Sequence, residues 1–278
     1  MIKNKQVGYL GPEGTFSHEA TLKVVDKDST IIPYSSIIHI FESLEKDEID
    51  EALVPIENST EGSVLVTLDA LTEFDLSIVK ELVLPIKHNL LVQKGTSIDD
   101  IKEICSHQQA LAQCRHYLQG LNKTLHPMPS TASAARYVAE FSAAAAIGNE
   151  ILSERYGLEI LDYNINDFEN NVTRFIIISK KSQEEITGND KTSLVFSLNN
   201  DNPGGLYEIL GIFARNNINL TKIETRPSKE GLGKYLFYVD MQGHKNESHM
   251  KNTLSCLESK VNMLKILGSY TTINVGGN

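Results

Sequence analysis

Short apolar runs alternate with amphipathic stretches through the first two-thirds of the chain, which predicts strands interleaved with helices. Val7-Gly8-Tyr9-Leu10, Ile31-Ile32-Pro33 and Ala52-Leu53-Val54-Pro55-Ile56 read as strands. Between them, Ser17 is placed to cap a helix running through Leu22 and Val25. Ile37, Ile40, Phe41 and Leu44 share one helical face within 37–46, and Val64, Leu65, Leu68 and Leu71 share another within 62–72. Residues 78–84 and Leu90-Leu91-Val92 read as extended segments around a bend at Pro85.

A second unit begins there. Residues 101–107 lead into a helix near 109–114, and Ser130-Thr131-Ala132-Ser133 opens another with Ala134, Ala135, Val138 and Ala139 inward. Ala143-Ala144-Ala145-Ala146-Ile147 suits helix or strand; the Gly148 after it and the helix-like 150–156 favour a short buried strand. The run Phe175-Ile176-Ile177-Ile178 reads as a buried strand that returns to the first unit, leaving a cleft between two lobes. A polar, apolar-poor stretch then reads as a linker over 182–190. Beyond it, two helical stripes and four strands follow in β-α-β-β-α-β order, one helix carrying Leu206, Ile209, Leu210, Phe213 and Ala214 on its inner face. The predicted division is 1–181 as two α/β lobes (1–84 with 172–181, and 85–171) and 191–278 as an α+β ferredoxin-like unit.

Composition narrows the functional classes. At 278 residues the chain suits about two domains, and 41% hydrophobic residues suffice for packed cores. No apolar run approaches the roughly 18 residues of a membrane span, and no secretory leader opens the sequence, so a cytoplasmic protein is expected. A net charge of −10 disfavours nucleic acid as partner. Cys105, Cys114 and Cys256 have no metal-ligand spacing and are expected to be buried, reduced thiols. The scattered histidines form no metal motif, and no cofactor is expected.

Three polar loops each close an apolar strand: Gly11-Pro12-Glu13-Gly14-Thr15-Phe16-Ser17, Glu57-Asn58-Ser59-Thr60 and Asn171-Val172-Thr173-Arg174. Strand ends are where α/β sheets collect ligands, so one composite site is expected. With His107-Gln108-Gln109-Ala110-Leu111-Ala112-Gln113-Cys114 and Ser130-Thr131-Ala132, these segments resemble, in order, the motifs of prephenate dehydratase. Pro203-Gly204-Gly205-Leu206 and Glu224-Thr225-Arg226-Pro227 resemble the marks of an ACT domain, with glycine and threonine where alanine and serine are commoner at 205 and 225.

The resemblance implies a catalytic part folded like the lobes of periplasmic binding proteins, converting prephenate to phenylpyruvate with loss of water and carbon dioxide. It implies a form without an attached chorismate mutase. Prephenate is a dianion, and helix N-termini near Ser17, Ser59 and Thr131 are expected to attract it, with Arg174 forking onto one carboxylate. Thr173 is the implied donor to the departing hydroxyl. Phe175 would pack on the ring, and Thr15, Asn58, Ser59 and Asn171 would line the site; Glu57 is an alternative acid or a loop-holding carboxylate. Asn202, Gly204, Gly205 and Leu206, facing Glu224, Thr225 and Arg226 of a second subunit, would hold phenylalanine as feedback inhibitor in a homodimer or homotetramer. The competing readings are arogenate dehydratase and a non-catalytic amino-acid sensor.

Overall fold

The computed structural model describes residues 4–199, 202–229, 231 and 233–274. Met1, Ile2 and Lys3, and within the expected C-terminal unit Leu232 and 275–278, lie outside the described residues.

The first lobe is built from strands β1 (Gln6–Leu10), β2 (Thr30–Tyr34), β3 (Glu51–Asn58), β4 (Gly62–Ser63) and β5 (Ser77–Pro85), with helices α1 (Phe16–Val24), α2 (Ile37–Glu45) and α3 (Leu65–Glu73). The second lobe holds β6 (Asn89–Val92), β7 (Glu103–His107), β8 (Thr124–Met128), β9 (Ala144–Gly148) and β10 (Glu159–Asp162), with α4 (Gln108–Gln113), α5 (Arg115–Leu121), α6 (Thr131–Glu140) and α7 (Glu150–Tyr156). Strand β11 (Val172–Ser179) returns to the first lobe and lies antiparallel between β3 and β5. The C-terminal unit is β12 (Asp190–Leu198), α8 (Gly205–Arg215), β13 (Leu220–Pro227), β14 (Tyr235–Gln242), α9 (Ser248–Glu258) and β15 (Val261–Asn274), the expected βαββαβ order.

Several local expectations shift. Thr15 caps α1, accepting from the His18 amide, while Ser17 lies inside the first turn. Gly62-Ser63 pairs with the end of β3, so the next helix starts at Leu65, whose side chain is exposed; a loop that must first complete a ladder cannot yet be helical. Ile212 replaces Ala214 on the buried stripe of α8, and Cys256 is exposed on α9. The alanine run becomes the fully buried strand β9 between β6 and β7, because a central strand there accepts only small side chains against α6. Two strands and a helix, β8, β10 and α5, carry no apolar alternation that sequence reading could use; β8 is almost wholly exposed.

The C-terminal unit does not hang from its linker. The end of its last strand, from Thr271 to Asn274, pairs in parallel with β5, so both units share one ten-stranded sheet. At the crossing, Gly268 has φ +151 and a Cβ there would stand 2.2 Å from the carbonyl oxygen of Ile78. Only glycine permits that approach. Val195, Tyr238, Leu267 and Tyr270 join the core formed by α2, α3 and β3. Among the described residues, no helix is long and apolar enough to cross a membrane.

Candidate active site

A cavity of about 360 Å³ opens between the two lobes, within the range of small-molecule sites. Thr15, Asn58, Thr131, Thr173 and Phe175 line it together, with Ser17, His88, His107 and Gln113. Ser59, Asn171 and Arg174 do not line it.

Two helices from opposite lobes begin at the cavity. Thr15 caps α1 and Ser130 caps α6, each accepting an amide hydrogen from the third residue of its helix's first turn. The amides of Phe16 and Ser17, and of Thr131 and Ala132, have no intrahelical acceptor by construction. Their dipoles concentrate partial positive charge on the cavity. None of the lining residues is Lys, Arg, Asp or Glu; His88 and His107 are the two histidines among them. The positive field therefore comes from backbone.

Thr173 lies opposite Asn58 on adjacent strands, so both side chains project from one face. The Asn58 carboxamide has a single sensible orientation: Oδ1 accepts the amides of Thr60 (2.9 Å) and Glu61 (3.1 Å). Its Nδ2 then donates to Thr173 Oγ1 at 2.9 Å, to Val172 O at 3.1 Å and to Asn171 Oδ1 at 2.9 Å. Because Thr173 Oγ1 accepts from Asn58, its own hydrogen remains available to a ligand. Phe175, 2% exposed, supplies an apolar wall two residues on.

Arg174 points the other way. The strand begins at Val172 and not at Phe175, so alternation turns Arg174 to the face opposite Thr173 and Phe175. There it reaches Asp240 Oδ2 on β14 at 2.5 Å, Glu81 at 3.4 Å and Glu57 at 3.5 Å. Asp240, Tyr270 and Glu81 hold its guanidinium charged against the cost of burial. The expected fork onto a ligand carboxylate is thus replaced by a buried tie to the C-terminal unit.

Ser59 begins no helix. Its hydroxyl donates to Asn170 O and accepts from the Val172 amide, locking the loop before β11. Asn171, 2% exposed, bridges Asn58 and Gln113 behind the cavity wall. Glu57 accepts Lys222 at 3.1 Å, so its carboxylate faces the C-terminal unit. Sequence reading quoted Gln113 only within a motif and passed over His88; an isolated histidine between two apolar strands gives no periodic signal.

At the start of α8, Gly204 is exposed and adopts φ +89 as N-cap; the Gly205 amide donates to Asn202 O at 3.0 Å, and Gly205 and Leu206 are half-buried. Glu224 and Arg226 do not face that turn. Glu224 accepts from Ser63 at 3.0 Å, and Arg226 grips Asp69 through Nη2 at 2.9 and 2.8 Å; Thr225 sits between them on β13. Strand alternation directs the two charged side chains onto the first lobe. Among the described residues, no group of three or more His, Cys, Asp or Glu side chains is placed to hold a metal.

The sequence model of the family described as prephenate dehydratase matches residues 7–183, and that of the ACT domain matches 192–255. A prephenate dehydratase of Methanocaldococcus jannaschii is 44% identical over 96% of this chain and 98% of its own length. Arogenate dehydratase 2 of Petunia hybrida is 38% identical over 95% of this chain and 71% of its own. The crystal structure of a prephenate dehydratase from Arthrobacter aurescens in complex with L-Phe superposes with a TM-score of 0.88 at 38% identity, covering 96% of this chain and 90% of that one.

Proposed function

The chain belongs to the prephenate dehydratase family and carries an ACT domain, and we propose that the interlobe cavity is where it dehydrates and decarboxylates prephenate. It is a hydro-lyase. The observation that carries the site assignment is the spare hydrogen of Thr173 in a cavity between two helix N-termini. Breaking the ring C–O bond puts negative charge on the departing oxygen, and a fixed donor stabilises that charge more than it stabilises the ground state. The amides of α1 and α6 attract the two carboxylates without engaging them in ion pairs. That matters because one carboxylate leaves as neutral carbon dioxide, and a guanidinium fork would hold it back.

Prephenate is favoured over arogenate. Arogenate carries an ammonium group in place of the keto oxygen, and no carboxylate lines the cavity to receive it. The deciding experiment mixes purified protein with prephenate or arogenate and follows phenylpyruvate or phenylalanine. Phenylpyruvate formed preferentially is the expected result; ligand binding with no product would convert the reading to a sensor.

The C-terminal unit is the site of feedback by phenylalanine in this reading. The α8 turn at Asn202, Gly204, Gly205 and Leu206 offers amides to an amino-acid carboxylate. Glu224 and Arg226 serve docking to the first lobe, and an effector that disturbed β13 would be felt there directly. A coupling of about 1–3 kcal/mol suffices for useful inhibition. A homodimer or homotetramer paired through these units, acting in the cytoplasm, completes the proposal. Titrating phenylalanine during turnover, with sedimentation to count subunits, tests it.

A further inference from the structure

His88 is fixed in one tautomer by a relay that starts from two backbone amides. The amides of Thr60 and Glu61 identify the Asn58 oxygen, and Thr60 Oγ1 must donate to that same oxygen at 2.6 Å. Thr60 Oγ1 therefore accepts from Gln113 Nε2 at 3.0 Å, which turns Gln113 Oε1 toward Asn171 Nδ2 at 2.9 Å and His88 Nε2 at 3.0 Å. A carboxamide oxygen only accepts, so Nε2 carries the hydrogen and Nδ1 is left as a bare lone pair. His88 is 3% exposed, lines the cavity, and its Nδ1 has no partner. A buried acceptor without a donor is costly, and such sites call for an explanation in a ligand or a reaction.

We propose, building on the prephenate reading above, that His88 Nδ1 binds the ring hydroxyl of the substrate and delivers the proton that lets it leave as water. The hydroxyl is the only hydrogen-bond donor on the prephenate dianion, so it is the one group a bare acceptor can select. Burial keeps the imidazole neutral, its pKa lowered to about 4. The groups packed against it are Phe16 from α1, Gln113 from α4 and Asn166 from the crossover before β11, none of them titratable; His107 is the other titratable side chain of the cavity. After the neutral ring has accepted the hydroxyl hydrogen, the bound dianion, unopposed by any fixed cation there, draws one proton from solvent onto Nδ1; the hydroxyl hydrogen then turns away and its oxygen accepts from Nδ1–H. In the step itself the C–O bond breaks with its electron pair on oxygen, and that oxygen takes the Nδ1 proton. The bond from the opposite ring carbon to its carboxylate breaks in the same step, its pair flowing through the diene to complete the aromatic ring as carbon dioxide departs. Thr173 donates a second hydrogen bond to the leaving oxygen, and His88 returns to its neutral Nε2–H form.

The test compares two replacements. His88→Gln keeps a donor within reach of Gln113 but has no group at Nδ1 able to pass a proton; His88→Asn puts an amide near the Nδ1 position, which can hydrogen-bond but not pass a proton, and loses the donor to Gln113. Both are expected to lose about 10²-fold or more in kcat. His88→Gln should keep its melting temperature and a KM within about threefold, and should lose the alkaline fall in the kcat–pH profile. A His88→Gln enzyme with near-normal kcat and an unchanged profile overturns the proposal. Should that variant fail to fold, calorimetry of prephenate binding to Thr173→Val in two buffers of different ionisation heat decides instead. Uptake of about one proton per site at pH 7 supports it, and none overturns it. Wild-type protein that makes no phenylpyruvate would sink the functional reading itself, a result separable from either variant's behaviour.

Discussion

Thr173 and Arg174 are consecutive in β11 yet serve different parts of the molecule: one lines the interlobe cavity and the other is paired at 2.5 Å with Asp240 of the C-terminal unit. A shift of β11 along its axis or a change in its twist is shared by both side chains. The strand therefore connects the interlobe cavity to the C-terminal unit.

Replacing Thr173 with Val removes one donor and leaves the wall's shape. A loss of about 10²–10³ in kcat with little change in KM is expected, measured by phenylpyruvate formation. Turnover within a few-fold of wild type would exclude the hydroxyl from the mechanism.

Asn58→Asp keeps the size of the side chain and abolishes its donors. Val172 O, Asn171 Oδ1 and Thr173 Oγ1 each lose a partner, and a carboxylate enters the cavity proposed for a dianion. Steady-state kinetics should show kcat/KM falling by at least ~10³ and KM rising, since both the relay and the field are damaged.

Arg174→Met leaves Asp240 a buried anion without its cation, while Glu81 keeps Lys191 at 2.7 Å, so a cost of about 3–5 kcal/mol is expected from denaturant unfolding. Adding Asp240→Leu should recover part of that loss. A coupling energy near zero in the double-mutant cycle would mean that the pair does not join the units. For the same reason, removing the whole C-terminal unit is expected to unfold or aggregate the remainder, because the edge of β5 and Arg174 both lose their partners.

Gly268→Ala places a methyl group against the Ile78 carbonyl and demands φ +151 of a residue that resists it. A drop of several degrees in melting temperature is expected, larger than for Gly120→Ala, where nothing lies within 4 Å. Equal melting temperatures would show that β15 can shift away from β5 at no cost.

His88 also gives stability a pH dependence of known sign. Its folded pKa of about 4 lies below the ordinary value of 6.5 because burial disfavours the charged ring. The unfolded chain thus binds a proton that the folded one refuses. The contribution is complete above about pH 6.5 and is lost progressively as pH falls toward 4, amounting to a few kcal/mol at about 1.4 kcal/mol per unit. Unfolding curves between pH 7 and pH 4 should be steeper in pH for wild type than for His88→Gln.

Local pattern was enough to read the βαββαβ unit, the two lobes and the small buried strand at Ala144–Gly148, since each rests on periodicity and punctuation that the chain carries in itself. The family resemblance, not periodicity, named Thr15, Asn58, Thr131, Thr173 and Phe175, which fold to one cavity because each closes a strand or opens a helix at the same edge of the lobes. Local pattern misplaced Arg174 by reading the strand as starting at Phe175: one more pair of residues in the ladder fixes which face each side chain takes, and ladder length is set by the neighbouring strands β3 and β5. Nor could it find the relay from Thr60 to His88, whose members are 53 and 25 residues apart along the chain at Thr60–Gln113 and His88–Gln113. Hydrogen bonds between carboxamides leave no periodic trace in a sequence. Only the folded arrangement decides which oxygen faces which nitrogen, and through that which nitrogen of His88 is free.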